Sequence, residues 1–425
     1  MNLMTKIIFF KLKIATKLLI AIKKPKIVAI TGSVGKTSTK RVVAEVLKSK
    51  YNVLYQEKSY NTQTGLPLSV FGLESPSNPR NPITWLKVFV KMIPKFFNYP
   101  YDVLVLEMGA DHPGEIDYLT KLVKPDIGIV IAAHKVHTEL FKTLDAIFKE
   151  KSILAYRAKK AVINIDEQNL REGLYPKLNN PVSYGQNSSA DFRIDNVCRS
   201  GTGTLSFDLD SDGRKASINS TTISKEQLLA YSAAAAVGSI LEIPLDKIKT
   251  SLEKMEPSKG RMSVFAGKNN SLIVDDSYNA SPKAVVAGLN NIYEMKGRKI
   301  AILGSMNELG DYEEEAHRVV GRACNKLDML VTVGEPAKKF IASSANKSGL
   351  AESKITSFTS PVAAGNFVLE NIKKNDIVYI KGSQNRVFNE EAVKILMHNK
   401  KDHKHLVRQE EHWMKIKRQQ FEDMK

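Results

Sequence analysis

The sequence predicts an α/β fold of two domains, each built on a mostly parallel sheet, with a small β appendage on the first. Three observations predict it. Short apolar runs rich in valine, isoleucine and leucine alternate with stretches of helical periodicity, the pattern of buried parallel strands and their crossover helices. That alternation occurs twice, on either side of a break at residues 256–262 that contains Pro257, Gly260 and Arg261. The chain has 425 residues, 43% hydrophobic and 25% charged, which is ordinary globular composition and enough for two to three cores at about 150 residues per domain.

Taken in order, residues 1–25 read as a basic amphipathic helix. Lys6, Lys13, Lys17 and Lys24 fall on one stripe, opposite Ile7, Phe10, Ile14, Leu18 and Ala21. Two roles stay open for it: a helix lying on an anionic membrane, or a helix packed on the following domain with a solvated lysine edge. Residues 26–256 form the first domain, with expected strands at 27–30, 103–107, 127–132 and 161–165 and a helix from Lys36. Residues 190–222 alternate apolar and polar positions around glycine and aspartate turns, which predicts antiparallel hairpins. Residues 257–397 repeat the α/β alternation as a Rossmann-like domain, and residues 398–425 read as a charged tail, a solvated helix or frayed end, in which four histidines lack the spacing of a metal site.

The sharpest local signal is KIVAITGSVGKTSTK at residues 26–40. A strand that runs through a glycine-containing loop into a helix points backbone N–H groups and the helix dipole at one place, where phosphate can sit. Gly32, Ser33, Gly35 and Ser38 would bind it, Lys36 would reach the β- and γ-phosphates, and Thr37 would hold Mg²⁺. The first domain is therefore expected to be of the P-loop type and to bind a nucleoside triphosphate. The loop is TGxxGKT rather than the full GxxxxGK[ST], because Ile30 stands where the first glycine would be.

Lysines and arginines number 63 against 45 aspartates and glutamates, a net charge of +18. The excess is concentrated: residues 1–26 hold seven lysines and no acid, and residues 76–100 hold Arg80, Lys87, Lys91 and Lys95 and no acid. The basic segments lack an ordered nucleic-acid recognition motif or stacking platform, so nucleic acid is not an expected partner. Two cysteines without CxxC spacing exclude a disulfide framework and a structural zinc site, and fit a reducing cytoplasm. Lysines interrupt the apolar stretch at residues 3–22 too often for a spanning helix, and no cleavage site follows it.

Several ordered strings, NTQTGLPLSV at 61–70, LEMGADHPGEI at 106–116, HTELFKTLDAIFKEK at 137–151, GRM at 260–262 and DDSYNASP at 275–282, together with the phosphate loop, resemble the ATP-dependent Mur ligases of peptidoglycan synthesis. Within that family the nearest resemblance is to the type that adds D-alanyl-D-alanine to a UDP-muramyl tripeptide. The resemblance implies that a substrate carboxylate attacks the γ-phosphate of ATP and that an amine then takes the acyl phosphate. It implies Mg²⁺, two ions in all, with Glu107 completing the shell of Thr37, and His137 and a CO₂-modified Lys151 holding the second. Asn61 and Thr62 match a substrate-facing segment, Arg261 a phosphate contact and Asp276 a ribose contact, with Tyr278 and Asn279 beside it. Closure of the second domain over the first would exclude water from the acyl phosphate.

The sequence also departs from the resemblance. About 26 residues precede the first strand, so the usual UDP-gripping N-terminal domain is expected to be absent. Leu228 and Tyr231 stand where asparagines usually face adenine, which suggests apolar contact and stacking with the base. A monomer in the cytoplasm is expected, with peripheral contact to an anionic membrane left open. Two further readings stay open: a family ligase with another carboxylate and amine pair, and a membrane-surface ATP-binding scaffold without catalysis.

Overall fold

The structure, a computed structural model, describes residues 3–58, 60–76, 78–133, 141, 143–201, 203–211 and 213–422. The chain divides into two compact units: residues 1–198, 206–220 and 226–255 form unit 1, and residues 199–205, 221–225 and 256–425 form unit 2.

Unit 1 is built on a sheet of β1 (Lys26–Thr31), β2 (Val53–Tyr55), β3 (Val103–Glu107), β4 (Ile127–Val130), β5 (Lys160–Asn164), β6 (Val182–Gly185), β7 (Phe192–Arg199), β8 (Leu205–Ser211) and β9 (Arg214–Asn219), in the order β2-β3-β1-β4-β5-β6-β7-β8-β9. Neighbours from β2 through β7 pair in parallel, and β8 pairs with β9 antiparallel. The expected appendage therefore continues the central sheet, joined where Tyr184 of β6 faces Phe192 of β7. Its alternating pattern arises because β7 to β9 bury one face only, whereas β1, β3 and β4 are buried on both. Register places Ile30 opposite Glu107 and Thr31 opposite Val130, so the loop after β1 leaves the sheet beside the end of β3.

Six helices of unit 1 matter below: α1 (Leu3–Lys23), α2 (Lys36–Leu47), α3 (Gly65–Phe71), α4 (Pro82–Met92), α5 (Glu115–Val123) and α6 (Leu144–Arg157). Helix α1 packs on the unit, but on a different face from the one its wheel predicts. Ile8, Leu12 and Leu19 are buried in a core shared with Trp85, Val88 and Met92 of α4, and Thr16 is buried as well. Ile7, Phe10, Ile14 and Leu18, the expected inner face, are exposed. A helix with two apolar stripes has an ambiguous moment, and only the partner surface decides which stripe turns in.

Unit 2 carries β10 (Ser263–Ala266), β11 (Leu272–Asp275), β12 (Lys299–Gly304), β13 (Met329–Val333), β14 (Ile355–Phe358) and β15 (Ile377–Lys381) in the order β10-β11-β15-β12-β13-β14, parallel except at β10–β11. Its strands feed one core with Leu303 and Leu330 and another with Ile302 and Val331, as alternate residues of a doubly covered sheet must.

The C-terminal residues correct the expectation of a solvated tail. Arg408 bonds Glu390 at 2.8 and 2.7 Å, and Lys417 reaches Glu390 and Glu391 at 2.7 Å each, with Arg408, Glu390 and Lys417 buried and Glu391 half-buried. Burial pushes the Glu390 carboxyl up, but Arg408 and Lys417 outweigh it and hold that carboxyl below the usual range. Trp413 and Phe421 of the helix Glu411–Glu422 pack on Phe388. Charge-rich composition predicts solvent, and these charges are buried because each finds an opposite partner.

The observed face of α1 yields a direct comparison. Leu12→Ala should cost about 2–5 kcal/mol of stability, the range for a buried leucine, whereas Leu18→Ala should stay within about 0.5 kcal/mol. Urea denaturation of both variants checks this, and equal losses would reverse the orientation of the helix.

Candidate active site

β1 ends at Thr31, and the chain turns through residues 32–35 into α2. Gly35, at φ +81°, takes the left-handed conformation that favours glycine, and its carbonyl accepts from Thr39 N at 2.9 Å. Ser33 N donates to the Ala132 carbonyl at 2.9 Å and pins the loop beside the end of β4. The loop thus delivers the N-terminus of a twelve-residue helix to the edge where β1 and β3 end, an anion seat. Lys36 Nζ donates to the Gly32 carbonyl at 2.8 Å, so the lysine folds over that seat, and Ser38 lies half-buried in the first turn of α2.

Glu107, at the end of β3, is 3% exposed. Thr37 Oγ1 donates to its Oε2 at 3.1 Å, which brings together two oxygen donors that fit Mg²⁺, an ion with a strong preference for oxygen. Lys40 Nζ reaches the same oxygen at 3.2 Å and also donates to the Lys58 carbonyl at 3.0 Å. The sequence reading missed Lys40. Its signal is position: one turn after Lys36, on the same helix face.

A cavity of about 60 Å³ joins the loop to two other candidates, since Lys36, Asn61 and Lys151 line it together with Ser33, Asp111 and Phe141. Asn61 is placed by backbone contact: its carbonyl accepts from Gly109 N at 3.1 Å. A Cβ on residue 109 would collide with the Asn61 side chain, so a larger residue there would displace Asn61. Thr62 is absent from the cavity lining. Its hydroxyl accepts from Gly65 N at 3.2 Å and shapes the start of α3.

Lys151 lies on α6, 4% exposed, and its surroundings correct the sequence-level picture of a solvated lysine run. Burial first, and the positive charge of Lys36 second, push its amine down to about 8. The adjacent Glu150 accepts from Gly114 N at 2.8 Å and from Ile116 N at 2.7 Å, so it caps α5 and anchors the turn of α6 that carries Lys151. His137 lies outside the described residues.

The remaining candidates belong to unit 2. The Arg261 guanidinium stands 4.4 Å from the centre of the Tyr278 ring. Asp276, expected to meet a ribose, is 7% exposed, accepts from Tyr379 OH at 3.0 Å and pairs with Lys381 at 2.6 Å. Lys381 also donates to the Asn279 carbonyl at 2.8 Å, and Arg408 donates to the carbonyls of Ser277 and Tyr278 at 2.7 and 3.0 Å. The loop at residues 275–282 is thus held from behind by two cations that the motif does not contain. Asp275, wholly enclosed, has its carboxyl pushed up to about 6 by burial. In unit 1, Leu228 and Tyr231 are buried, with Tyr231 5.9 Å from Phe207, so they are core residues rather than a stacking surface for a base.

The buried pair tests the scaffold of the site. Lys40→Met leaves the Glu107 carboxylate without its cation and should cost about 3–5 kcal/mol of stability. Adding Glu107→Gln to that variant should recover part of the loss. Chemical denaturation of the single and double variants checks both, and strictly additive losses would remove the coupling.

Comparison with known proteins gives the same assignment from both units. The chain is 27% identical over 378 residues to the UDP-N-acetylmuramoyl-tripeptide–D-alanyl-D-alanine ligase of Bacillus subtilis, covering 88% of this chain and 76% of the relative. It is 25% identical over 390 residues to the enzyme of that name from Buchnera aphidicola, covering 89% and 78%. Among solved structures, the MurF ligase of Thermotoga maritima in complex with ADP superposes with a TM-score of 0.75 at 26% identity, over 91% of this chain and 84% of that one. The Mur ligase middle domain matches residues 30–238 and the Mur ligase glutamate ligase domain residues 260–384, so the chain belongs to the Mur ligase family.

Proposed function

We propose that the chain is an ATP-dependent, ADP-forming amide ligase that joins the carboxylate of a UDP-muramyl tripeptide to the amine of D-alanyl-D-alanine. The observation that carries the proposal is the single cavity lined by Lys36, Asn61 and Lys151, where a phosphate seat, a substrate-facing amide and a buried lysine meet. The named relatives and the ADP-bound neighbour support the choice of substrates.

The reaction brings two anions together, so the site must supply positive charge before it supplies anything else. The substrate carboxylate attacks the γ-phosphorus, ADP leaves, and the resulting acyl phosphate yields its carbonyl carbon to the incoming amine, with phosphate released. Lys36 neutralises charge on the transferred phosphoryl group while the α2 N-terminus holds the others. Thr37 and Glu107 would hold Mg²⁺, which supplies further charge neutralisation at the phosphates when bound. Asn61, fixed by Gly109, orients the acyl group with its side-chain amide. We assign Arg261 to a phosphate, and Tyr278 and Asn279 to the nucleoside. For Asp276 the ribose role requires its carboxylate to accept a hydroxyl in addition to Tyr379 and Lys381.

Lys151 has the chemistry for CO₂ capture. With its amine pushed down to about 8, a larger share is neutral near pH 7.5 than for an ordinary lysine. The neutral nitrogen adds to the carbon of CO₂ and releases a proton, which leaves an anionic carbamate able, with His137, to hold a second ion.

ADP formation is the test. ADP should appear only when UDP-muramyl tripeptide and D-alanyl-D-alanine are both present, and a rate unchanged by them would exclude this substrate pair. Lys151→Ala should lower turnover about 10–100-fold, with partial recovery on adding formate or acetate. A variant as active as the parent would remove the carbamate from the reading.

A further inference from the structure

Two helices of unit 1 bury one apolar stripe and leave another bare. On α1 the bare residues are Ile7, Phe10, Ile14, Leu18 and Ile22; on α4 and the turn after it they are Ile83, Leu86, Val90, Ile93 and Phe97. Each is between 46% and 82% exposed, and these ten outnumber all the other large apolar side chains exposed among the described residues. The spacing of three and four residues is that of a single helix face in each case. Packing does not account for these residues, since the core contacts of both helices come from the opposite stripes.

The two bare stripes adjoin. Lys11 Nζ of α1 stands 5.7 Å from the centre of the Phe89 ring of α4, and Lys23 Nζ donates to the Phe97 carbonyl at 3.1 Å, so the segments run side by side. Ile7 and Ile14 lie one turn either side of Lys11, while Leu86 and Ile93 lie one turn either side of Phe89. The apolar surface therefore continues across the junction. Soluble monomers rarely leave a contiguous apolar patch of this kind uncovered.

The charge around it is predominantly positive. Neither residues 1–26 nor residues 76–100 contain an acid, and Lys6, Lys13, Lys17, Lys87 and Lys91 are all exposed. At the C-terminal end of α1 a cavity of about 490 Å³ adds Lys24, Lys26 and Lys124, while Lys121 and Lys159 in its lining pair with Asp117 and Asp126. A protein partner would have to match both an apolar strip and a predominantly positive border. An anionic bilayer presents both together, with acyl chains below a layer of phosphate. No described helix is long and apolar enough to cross a membrane, so the contact is in the plane of the interface.

We infer that the paired outer faces of α1 and α4 form an interfacial docking surface for anionic lipid bilayers, with apolar side chains entering the headgroup boundary and the lysines meeting lipid phosphates. The inference does not rest on the ligase reading, because binding requires neither ATP nor substrate and the residues lie outside the cavity that holds Lys36 and Lys151.

Co-sedimentation of the full chain with vesicles tests it. Binding to phosphatidylcholine vesicles containing phosphatidylglycerol should exceed binding to phosphatidylcholine alone by about tenfold or more, and weaken as salt rises. The Phe10→Ser/Leu86→Ser double variant should lose about tenfold in binding while keeping the parent melting temperature, since both side chains are exposed. Lys13→Glu/Lys87→Glu should abolish the preference for the anionic vesicle. Absence of vesicle binding, equal binding to both compositions, or unchanged binding of the two variants would each overturn the proposal. So would concentration-dependent self-association that the apolar variant removes while no vesicle binds, which would assign the face to a second copy of the chain.

Discussion

The ion pair between Lys40 and Glu107 is the constraint on which the site in unit 1 depends. A carboxylate at 3% exposure cannot stand without compensation, and Lys40, itself 2% exposed, supplies the charge from one turn inside α2. Because Glu107 ends β3 and Lys40 follows the phosphate loop, the pair ties the helix that presents the anion seat to the strand that presents the metal-fitting carboxylate. Thr37 joins the same oxygen at 3.1 Å, so three side chains from two elements share one buried point. Cation and carboxylate are there before any nucleotide arrives, which is the sense in which the site is preorganised.

The same device recurs behind the loop at residues 275–282 of unit 2. Lys381 and Arg408 bond the backbone carbonyls of residues 276–279 from the protein side, and Glu390 with Lys417 keeps Arg408 in place. Buried charges of this kind contribute less to net stability than to a single geometry, because each costs desolvation that its partner must offset. Residues 406–408 therefore work as part of unit 2, although they sit in the most charge-rich stretch of the chain. The outer faces of α1 and α4 show the reverse economy: apolar surface remains in water, where it has no function until something covers it.

Much of the candidate site was legible because its residues lie close together in the chain. The strand, glycine turn, lysine, threonine and helix of residues 26–40 are consecutive, so periodicity and turn chemistry locate the phosphate seat without a fold. Asn61, Glu107 and Lys151 came from ordered strings that resemble a known family, and the structure brings Asn61 and Lys151 to one cavity and Glu107 to Thr37. The partners of Lys40, Lys381 and Arg408 were not legible. Each of these residues has a role defined by a partner between 67 and 131 residues away, and a lysine or arginine with no visible partner reads as surface. Tyr231 failed in the opposite direction, since a tyrosine on an alanine-rich helix is equally consistent with a stacking platform and with the core beside Phe207 where it lies.

By itself the sequence determined the two α/β units, the parallel strands and the phosphate loop, because hydrophobic period and glycine placement act over a few residues. Tertiary structure alone decided which stripe of α1 turned inward, that the hairpin strands extend the central sheet, and that charged residues near the C-terminus are buried. Those outcomes rest on competition between surfaces far apart in the chain. A helix with two apolar stripes buries the one whose partner surface fits, and a lysine leaves water only where folding has already placed a carboxylate to receive it.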